Sequence, residues 1–522
     1  MHITLAQLYS ELQPPNAEPL AVEALAGALE VYCEGVEVDI KIVNPLLDPN
    51  AVSKLIASVS ESQCRLLGLS VPQGTYFVAR QILNIVESTF IPGERPLVVL
   101  GHALPTYMPN MFLEQYPWAF VIRGWGENSL VALVKALLAD EEIYVEGIPS
   151  LIYVEHGQIR SNPVALDIVP QVPKRFEPGK FFARVETSRG CHYGRCTFCT
   201  RPPGKKDYWS RILIDTIRSS ILNLTNEGVQ YFTFSDEDFI GNDLLGAKEI
   251  AKLVAEIGHV NFSMSVRADN IINPNGSSQE NEERLDIMMS LKQAGLSLVF
   301  IGVESLSNSQ LKRYGKGIRV EDSVRAVDIV NSLDLPIEIG FIMFDPFVTL
   351  DELREIAANL RISGMWENVG SLFSKMLIQK DTSYEQWLNM KGLLKEFDVN
   401  LMSHGWEFQN ERVAHVAKIC LDWSDIFHPV YRLLRNLDRT KRNYKIAKEF
   451  MRKFRNIDLE VLDHVLEQAS DDSIRLPSIR EYYYEHRINH SRSLHHLLRT
   501  HATSDEEYLL LNELSEFLSN HH

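Results

Sequence analysis

The sequence predicts an α/β protein in three parts: an N-terminal doubly wound, Rossmann-like domain, a partial (β/α)6 barrel and a helical C-terminal region. Three observations predict it. Short apolar runs alternate with amphipathic segments through the first 160 residues and again from Phe182 to Met376, the pattern of strand–helix units around parallel sheets. A stretch carrying Pro163, Pro170, Pro173 and Pro178 separates the two series, as a linker does. From about Asn389 the strand signals fade. A chain of 522 residues has room for two or three domains of roughly 100–200 residues each.

In the first series, Ile3–Leu8, Val36–Val43, Arg65–Val71, Leu97–Leu100, Ala119–Ile122 and Ser150–Val154 read as strands. Pro19–Tyr32, Ala51–Ser58, Tyr76–Glu87 and Ser129–Leu138 read as the helices between them. Ligands of such sheets bind beyond the carboxyl ends of the strands. The loops there are Ser70–Thr75, Gly101–Pro105 and Arg123–Glu127, each with a glycine that permits close backbone approach.

In the second series the expected strands are Phe182–Thr187, Tyr231–Ser235, Asn261–Val266, Ser297–Val303, Pro336–Phe344 and Gly370–Met376. Six units fall short of the usual eight, so a partial barrel is expected. The expected domains are 1–160, a linker at 161–182, the barrel at 183–388 and a helical domain at 389–522. In the last, Asp458–Gln468 and Glu506–Leu518 carry helix-period spacing. Arg432–Arg455 holds ten Lys or Arg and reads as a solvated helix face. No repeat of fixed period is evident.

The formal net charge is −17, from 52 basic and 69 acidic side chains. That excludes a broadly basic nucleic-acid-wrapping surface. No basic-then-apolar leader and no apolar run of about 18 residues is present, so no membrane span is expected and a cytoplasmic location is. The six cysteines agree. Cys33, Cys64 and Cys420 are scattered, whereas Cys191, Cys196 and Cys199 lie within nine residues. That is not a disulfide framework; it reads as a metal or redox site.

Three thiolates this close are soft ligands for zinc or for an iron–sulfur cluster. Structural zinc takes four ligands, and the available fourth, His192, follows Cys191 directly. Three cysteines without an evident fourth suit a four-iron cluster with one open iron, able to bind a small molecule. The cluster follows the first strand of the second series, at the end where barrel active sites lie.

The segment Thr187-Ser-Arg-Gly-Cys191 through Cys199 resembles the signature loop of the radical S-adenosylmethionine superfamily, including the aromatic Phe198 before the third cysteine. The family's first spacing is three residues; here four, His192–Arg195, intervene. Phe234-Ser-Asp-Glu-Asp238, Ser265-Val-Arg-Ala-Asp269, Phe300-Ile-Gly-Val-Glu-Ser305, Leu311–Gly317 and Phe341–Pro346 continue the resemblance over roughly residues 181–385. It implies a 4Fe-4S cluster on Cys191, Cys196 and Cys199, with S-adenosyl-L-methionine on its open iron. Phe198, Ser235, Asp236, Glu237, Arg267, Glu304 and Ser305 are the implied contacts of that molecule. A carboxylate or hydroxyl suits its amine, an arginine its carboxylate, and acceptors its ribose. The plain alternatives are an Arg267–Glu304 ion pair and a helix cap at Asp236 or Asp238.

The first domain resembles the cobalamin-binding domain of the cobalamin-dependent radical subgroup, on Val98-Val-Leu-Gly101, Pro105, Pro117-Trp-Ala-Phe-Val-Ile-Arg-Gly-Trp-Gly-Glu127 and the early Pro14-Pro15. It implies cobalamin contacts at Gly74, Thr75, Gly101, His102, Gly124, Gly126 and Glu127. The Asp-x-His-x-x-Gly motif of histidine-ligating domains is absent, so cobalamin without a lower nitrogen ligand is expected. His102 stands where the family usually has glycine; a lower ligand, a surface residue and a more distant contact are its alternatives. The implied activity is methyl transfer to an unactivated carbon of a peptide or natural-product precursor. An external electron donor such as flavodoxin or ferredoxin is implied with it. A radical cyclisation, rearrangement or oxidation, and a non-catalytic iron–sulfur or corrinoid-binding protein, are the alternatives.

Overall fold

The computed structural model describes residues 1–12, 17–139, 144–167, 169, 171–200, 207–436, 443–469, 483–501 and 505–520. Pro14-Pro15 and Pro170 lie outside the described residues.

The first domain is one seven-stranded sheet of order β2-β1-β3-β4-β5-β6-β7. Its parallel strands are β1 (His2–Leu8), β2 (Glu37–Val43), β3 (Leu66–Ser70), β4 (Leu97–Gly101) and β5 (Phe120–Ile122). β6 (Leu151–Glu155) and β7 (Gln158–Ser161) close one edge antiparallel. The helices are α1 (Leu20–Tyr32), α2 (Ala51–Glu61), α3 (Tyr76–Thr89), α4 (Ala103–Tyr107), α5 (Asn110–Leu113) and α6 (Glu127–Leu138). Both faces of the strands are apolar because both are covered. Ala6, Leu67 and Leu69 pack toward α2 and α3, while Ile3, Leu5 and Val99 pack toward α1 and α6. The strand order reverses between β1 and β3, which opens a crevice at their carboxyl ends.

The second sheet runs β14-β13-β12-β11-β8, all parallel. Its strands are β8 (Ala183–Val185), β11 (Tyr231–Phe234), β12 (Asn261–Arg267), β13 (Leu296–Glu304) and β14 (Ile337–Phe341). The expected sixth strand, 370–376, is attached only by single bridges at Ile339–Val369 and Phe344–Lys375. Ser374 explains this. Its Oγ accepts from Met343 N (3.2 Å) and donates to Phe341 O (2.6 Å), so a side chain takes the place of a regular ladder. α7 (Ile214–Asn226), α8 (Leu244–Ile257), α9 (Ala268–Ile271), α10 (Ser278–Gln293), α11 (Asn308–Arg313), α12 (Val320–Ser332) and α13 (Leu350–Ser363) connect the strands.

Two small antiparallel pairs escaped the sequence reading. β9 (Ser188–Gly190) pairs with β10 (Trp209–Arg211), bracketing the cysteine loop. Gly190 has φ 84°, and a Cβ there would stand 2.1 Å from Tyr208 O, so only glycine fits. After α14 (Ser383–Lys391) comes a hairpin, β15 (Leu394–Asp398) and β16 (Ser403–Trp406). The chain beyond residue 389 is therefore not helical throughout. The hairpin's Phe397, Val399 and Met402 pack on the first domain's core, and Gln73 Nε2 donates to Leu401 O (2.6 Å).

The remainder is helical: α15 (Glu411–Asn436), α16 (Asn443–Glu467), α17 (Glu485–His501) and α18 (Asp505–Ser519). Fully buried Arg487 pairs with Asp458 there and lies against the rings of Trp423, Phe427, Tyr431 and Phe454. A buried cation is tolerated when paired in this way. Of the basic run Arg432–Arg455, most side chains up to residue 447 lie outside the described residues. No described helix is long and apolar enough to cross a membrane.

Candidate active site

The crevice at the carboxyl ends of β1, β3, β4 and β5 opens into a cavity of about 490 Å³, within the range of small-molecule and cofactor sites. Its floor reaches mid-strand residues Leu5, Gly68 and Val99, between α1 and α6. Its far wall belongs to the second domain: Arg184, Glu186 and Arg189 beside the first barrel strand, and Ser235 and Glu237 after β11. The two sheets thus face each other across one space.

Of the expected contacts in the first domain, Gly101, His102, Gly124, Gly126 and Glu127 line this cavity. Gly74 and Thr75 do not. Gly74 lies against Ser10 and Leu12, and Thr75 Oγ1 donates to Pro72 O (2.8 Å), which closes the turn after β3.

His102 has φ 76°, an uncommon conformation outside glycine. The residue is exposed, and it lines the cavity that the two domains share. Desolvation by the surrounding protein, then the Arg184 charge, lowers its pKa, so the ring is neutral near pH 7. Its Nδ1 accepts from Ala103 N (2.7 Å). In a neutral ring the proton is then on Nε2. His102 therefore presents an N–H to the cavity, not a lone pair.

The wall nearest the cysteine loop is charged. Arg189, two residues before Cys191, donates to Glu127 Oε1 (2.6 Å) and Glu186 Oε2 (2.8 Å). This links the loop after β5 to the strand that enters the cysteine loop. Arg189 Nη1 is buried without a hydrogen-bond partner, as is Arg184 Nε. Orphan buried donors on a cavity wall call for an acceptor.

The cysteine loop sits on the segment after β13. Thr197 N donates to Tyr314 O (2.9 Å), Thr197 Oγ1 to Arg313 O (3.0 Å), and Tyr384 N to Thr197 O (3.0 Å). Tyr193 OH donates to Gly315 O (2.6 Å), and a Cβ on Gly317 would stand 2.3 Å from that hydroxyl. Phe198 packs edge-on against Tyr314, centroids 5.4 Å apart. Beneath the seat, buried Asp345 accepts from Tyr314 OH (3.1 Å), Tyr384 OH (2.7 Å), Gln310 (2.7 Å) and Arg313 (2.9 Å). Of these supports the sequence reading had noted the Leu311–Gly317 and Phe341–Pro346 stretches without a role, and it missed Thr197 and Tyr384.

Cys191 is buried, and Cys196 and Cys199 are partly exposed. His192 Nδ1 lies 3.1 Å from Asp238 Oδ2, so a carboxylate engages that nitrogen. Among the described residues no three His, Cys, Asp or Glu donors converge as one metal ion requires. A four-iron cluster makes a different demand, because its thiolates bind separate irons.

Several expected contacts have other duties. Asp236 is buried and clamps the turn into β9, accepting from Thr187 N (2.8 Å), Thr187 Oγ1 (2.7 Å), Ser188 N (2.5 Å) and Ser188 Oγ (3.1 Å). Neither Asp236 nor Asp238 caps a helix; Asp243 caps α8, and Asp238 binds Asn270. Ser305 is fully buried, donating to Gln310 Oε1 and accepting from Ser307 N (3.0 Å), so it has no face toward a ribose. Arg267 and Glu304 do not pair with each other. Arg267 forms a bidentate pair with Asp269 (2.9 and 2.8 Å), stacks on Tyr193 (3.9 Å to the centroid) and points Nη1 at Cys196 Sγ (3.9 Å). Glu304 meets Lys316 Nζ at 3.2 Å and has φ 69° at a register shift of β13. Ser235 and Glu237 keep their place on the cavity wall.

A Rossmann-like crevice facing a barrel mouth that carries three cysteines defines a class: corrinoid and radical chemistry joined in one chain. The Radical SAM superfamily model matches residues 185–360 and the B12 binding domain model residues 14–134. Together they span more than half of the sequence, and the chain belongs to the cobalamin-dependent radical S-adenosylmethionine family. Its cofactors are a 4Fe-4S cluster, S-adenosylmethionine and cobalamin. The 4'-phospho-dehydrooxetanocin synthase of Priestia megaterium is 30% identical over 331 residues, 58% of this chain and 43% of that protein. The match therefore spans less than half of that relative's length. An uncharacterized methyltransferase of Pyrococcus horikoshii is 26% identical over 338 residues, 61% of this chain and 68% of that protein. The structure of the cobalamin-dependent radical enzyme OxsB with aqua-cobalamin and S-adenosylmethionine superposes with TM-score 0.82 at 22% identity, covering 99% of this chain and 84% of that one. The methyltransferase TsrM of Kitasatospora setae gives 0.57 at 19% identity, covering 69% and 71%.

The residues present fit these groups. A Cβ on Gly101 would meet no protein atom closer than Ile122 O at 4.0 Å, so the room there is left for an occupant. The orphan Arg donors suit the amide oxygens that fringe a corrin.

Proposed function

We propose that the chain transfers a methyl group to an unactivated carbon of a small-molecule or peptide natural-product precursor. The observation that carries this is the shared cavity, with the corrinoid crevice on one wall and the approach to the cysteine loop on the other. When bound, the three groups supply an electron, a 5′-deoxyadenosyl radical and a methyl carrier. The protein's part is to place them and exclude water. Cys191, Cys196 and Cys199 hold the cluster. Ser235, Glu237 and Glu304 receive the amine and ribose of S-adenosylmethionine, with Phe198 as a wall. Gly101, Gly124 and Gly126 would let the backbone approach the corrin. A flavodoxin- or ferredoxin-like donor supplies the electron.

A second reading has a specific observation behind it. The relative at 30% identity is named a synthase rather than a methyltransferase, which favours an oxidation or rearrangement with no methyl gained. One experiment separates the two. The reconstituted enzyme is supplied with methyl-deuterated S-adenosylmethionine and candidate substrates, and products are weighed by mass spectrometry. A product carrying the labelled methyl supports transfer. A new substrate-derived product without label, of altered mass for an oxidation or of unchanged mass but altered retention for a rearrangement, supports the second reading and overturns the first.

A further inference from the structure

Beside the large cavity lies a second one of about 170 Å³ that shares His102, Ala103 and Tyr107 with it. Three parts of the chain complete its walls: Pro72 and Gln73 after β3, Thr200 with Gln379 and Lys380 from the barrel side, and Phe397 and Met402 of the hairpin. Thr200 directly follows Cys199. The space therefore touches both the corrinoid crevice and the cysteine loop, where a molecule attacked from both sides has to sit.

Its chemistry is one-sided. Among the described residues no Asp or Glu lines it, in a chain of net charge −17. Lys380 has no carboxylate within ion-pair distance among the described residues; the Phe397 ring lies 5.8 Å from its Nζ. Asp381, next in the chain, is exposed and not part of the lining, though its charge and that of Glu237 reach Tyr107 on the wall. Gln379 commits its carbonyl oxygen to Thr200 Oγ1 (2.8 Å), which leaves its NH2 to donate. His102 Nε2–H is a third donor, by the tautomer its Nδ1 contact selects. One cation, an amide NH2 and an imidazole N–H, with no carboxylate among the described lining residues, make an oxyanion site. At roughly 30 Å³ per water, the volume holds an anionic group and a few further atoms rather than a whole substrate.

We propose that this cavity seats the anionic end, a phosphate or carboxylate, of a small-molecule substrate, with Lys380 as counter-ion and Gln379 and His102 as donors. It rests on the radical-enzyme reading only in calling the occupant the substrate.

The test uses the full chain, anaerobically reconstituted with cluster and cobalamin and saturated with S-adenosylmethionine. Inorganic phosphate and, separately, acetate are titrated in by calorimetry. The expected result is saturable binding of at least one of the two anions, weakened about tenfold or more in Lys380→Ala and largely kept in Lys380→Arg. Gln379→Glu, which puts a carboxylate into the wall, removes it. Tighter phosphate binding assigns a phosphate ester and tighter acetate binding a carboxylate. Cobalamin absorbance confirms that each variant is folded, and the Arg and Glu variants decide the matter if Lys380→Ala does not fold. No saturable binding, or equal affinity in wild type and the variants, overturns the proposal. So does phosphate binding seen in a parallel titration without S-adenosylmethionine but absent from the saturated enzyme, which gives the cavity to that molecule's own carboxylate. Deoxyadenosine is measured in parallel. Its absence with intact anion binding contradicts the radical reading and not the cavity's chemistry, and the converse result does the opposite.

Discussion

Arg267 shows how a residue can be singled out for one role and found in another. Its position at the end of a barrel strand suggested a partner for a substrate carboxylate. The structure instead commits its guanidinium to Asp269 and Tyr193 and leaves Nη1 facing Cys196 Sγ at 3.9 Å. Hydrogen bonds and positive charge near a cluster sulfur raise its reduction potential. Arg267→Gln should therefore lower the midpoint potential, on the order of 59 mV for each 1.4 kcal/mol of lost one-electron stabilisation. Redox titration followed by electron paramagnetic resonance measures this, and an unchanged potential would contradict the contact. His102 allows a second test. With its Nδ1 accepting from Ala103 N, it has no lone pair for cobalt. The cob(II)alamin spectrum of wild type and of His102→Ala should both lack nitrogen splitting on the axial line. A triplet lost only in the variant would show that His102 is the ligand. Such pairings were not legible in the sequence, because the partners of Arg267, Asp236 and Glu304 depend on where loops return. The cysteines were legible, since their spacing alone carries their chemistry.

Among the elements, the regular strands and helices could be read from apolar periodicity, whereas the short pieces could not. β9 and β10 have three residues each, too few to show a period, and Gly190 with its tight approach to Tyr208 is visible only in the fold. The sixth barrel strand failed for a related reason: Ser374 replaces ladder hydrogen bonds with its own. One junction between elements makes a pH prediction. Glu18, Glu23 and Arg175 are buried where α1 meets the linker to β8. Burial, then the charge of Glu18, raises the pKa of Glu23 from 4.5 to about 7. Between those values the folded protein holds a proton that the unfolded chain has released. Its contribution to stability is therefore full below about pH 4.5 and is lost as pH rises through 7. Glu23→Gln keeps an acceptor for Phe176 N (2.9 Å in wild type) without the charge. Its melting temperature should gain on that of wild type as pH rises from 5 to 8. Parallel curves would contradict the assignment.

At the scale of the molecule, the two sheets are held face to face by Arg189, whose contacts with Glu127 and Glu186 join the crevice to the cysteine loop. Arg189→Ala leaves two carboxylates without their cation, and breaking a buried pair from one side costs about 3–5 kcal/mol. Chemical denaturation should show a loss of that size, together with weaker cobalamin uptake; a variant as stable as wild type would show that the clamp is incidental. The proposed chemistry begins with one event, reductive cleavage of S-adenosylmethionine by a cluster on the three-cysteine loop. The direct measurement is anaerobic reconstitution of wild type and Cys196→Ala, followed by iron and sulfide analysis and by quantifying 5′-deoxyadenosine after reduction with dithionite. Wild type should hold four irons and four sulfides per chain and form deoxyadenosine, and the variant should show a depleted cluster and form none. A full cluster and undiminished deoxyadenosine in Cys196→Ala would contradict it.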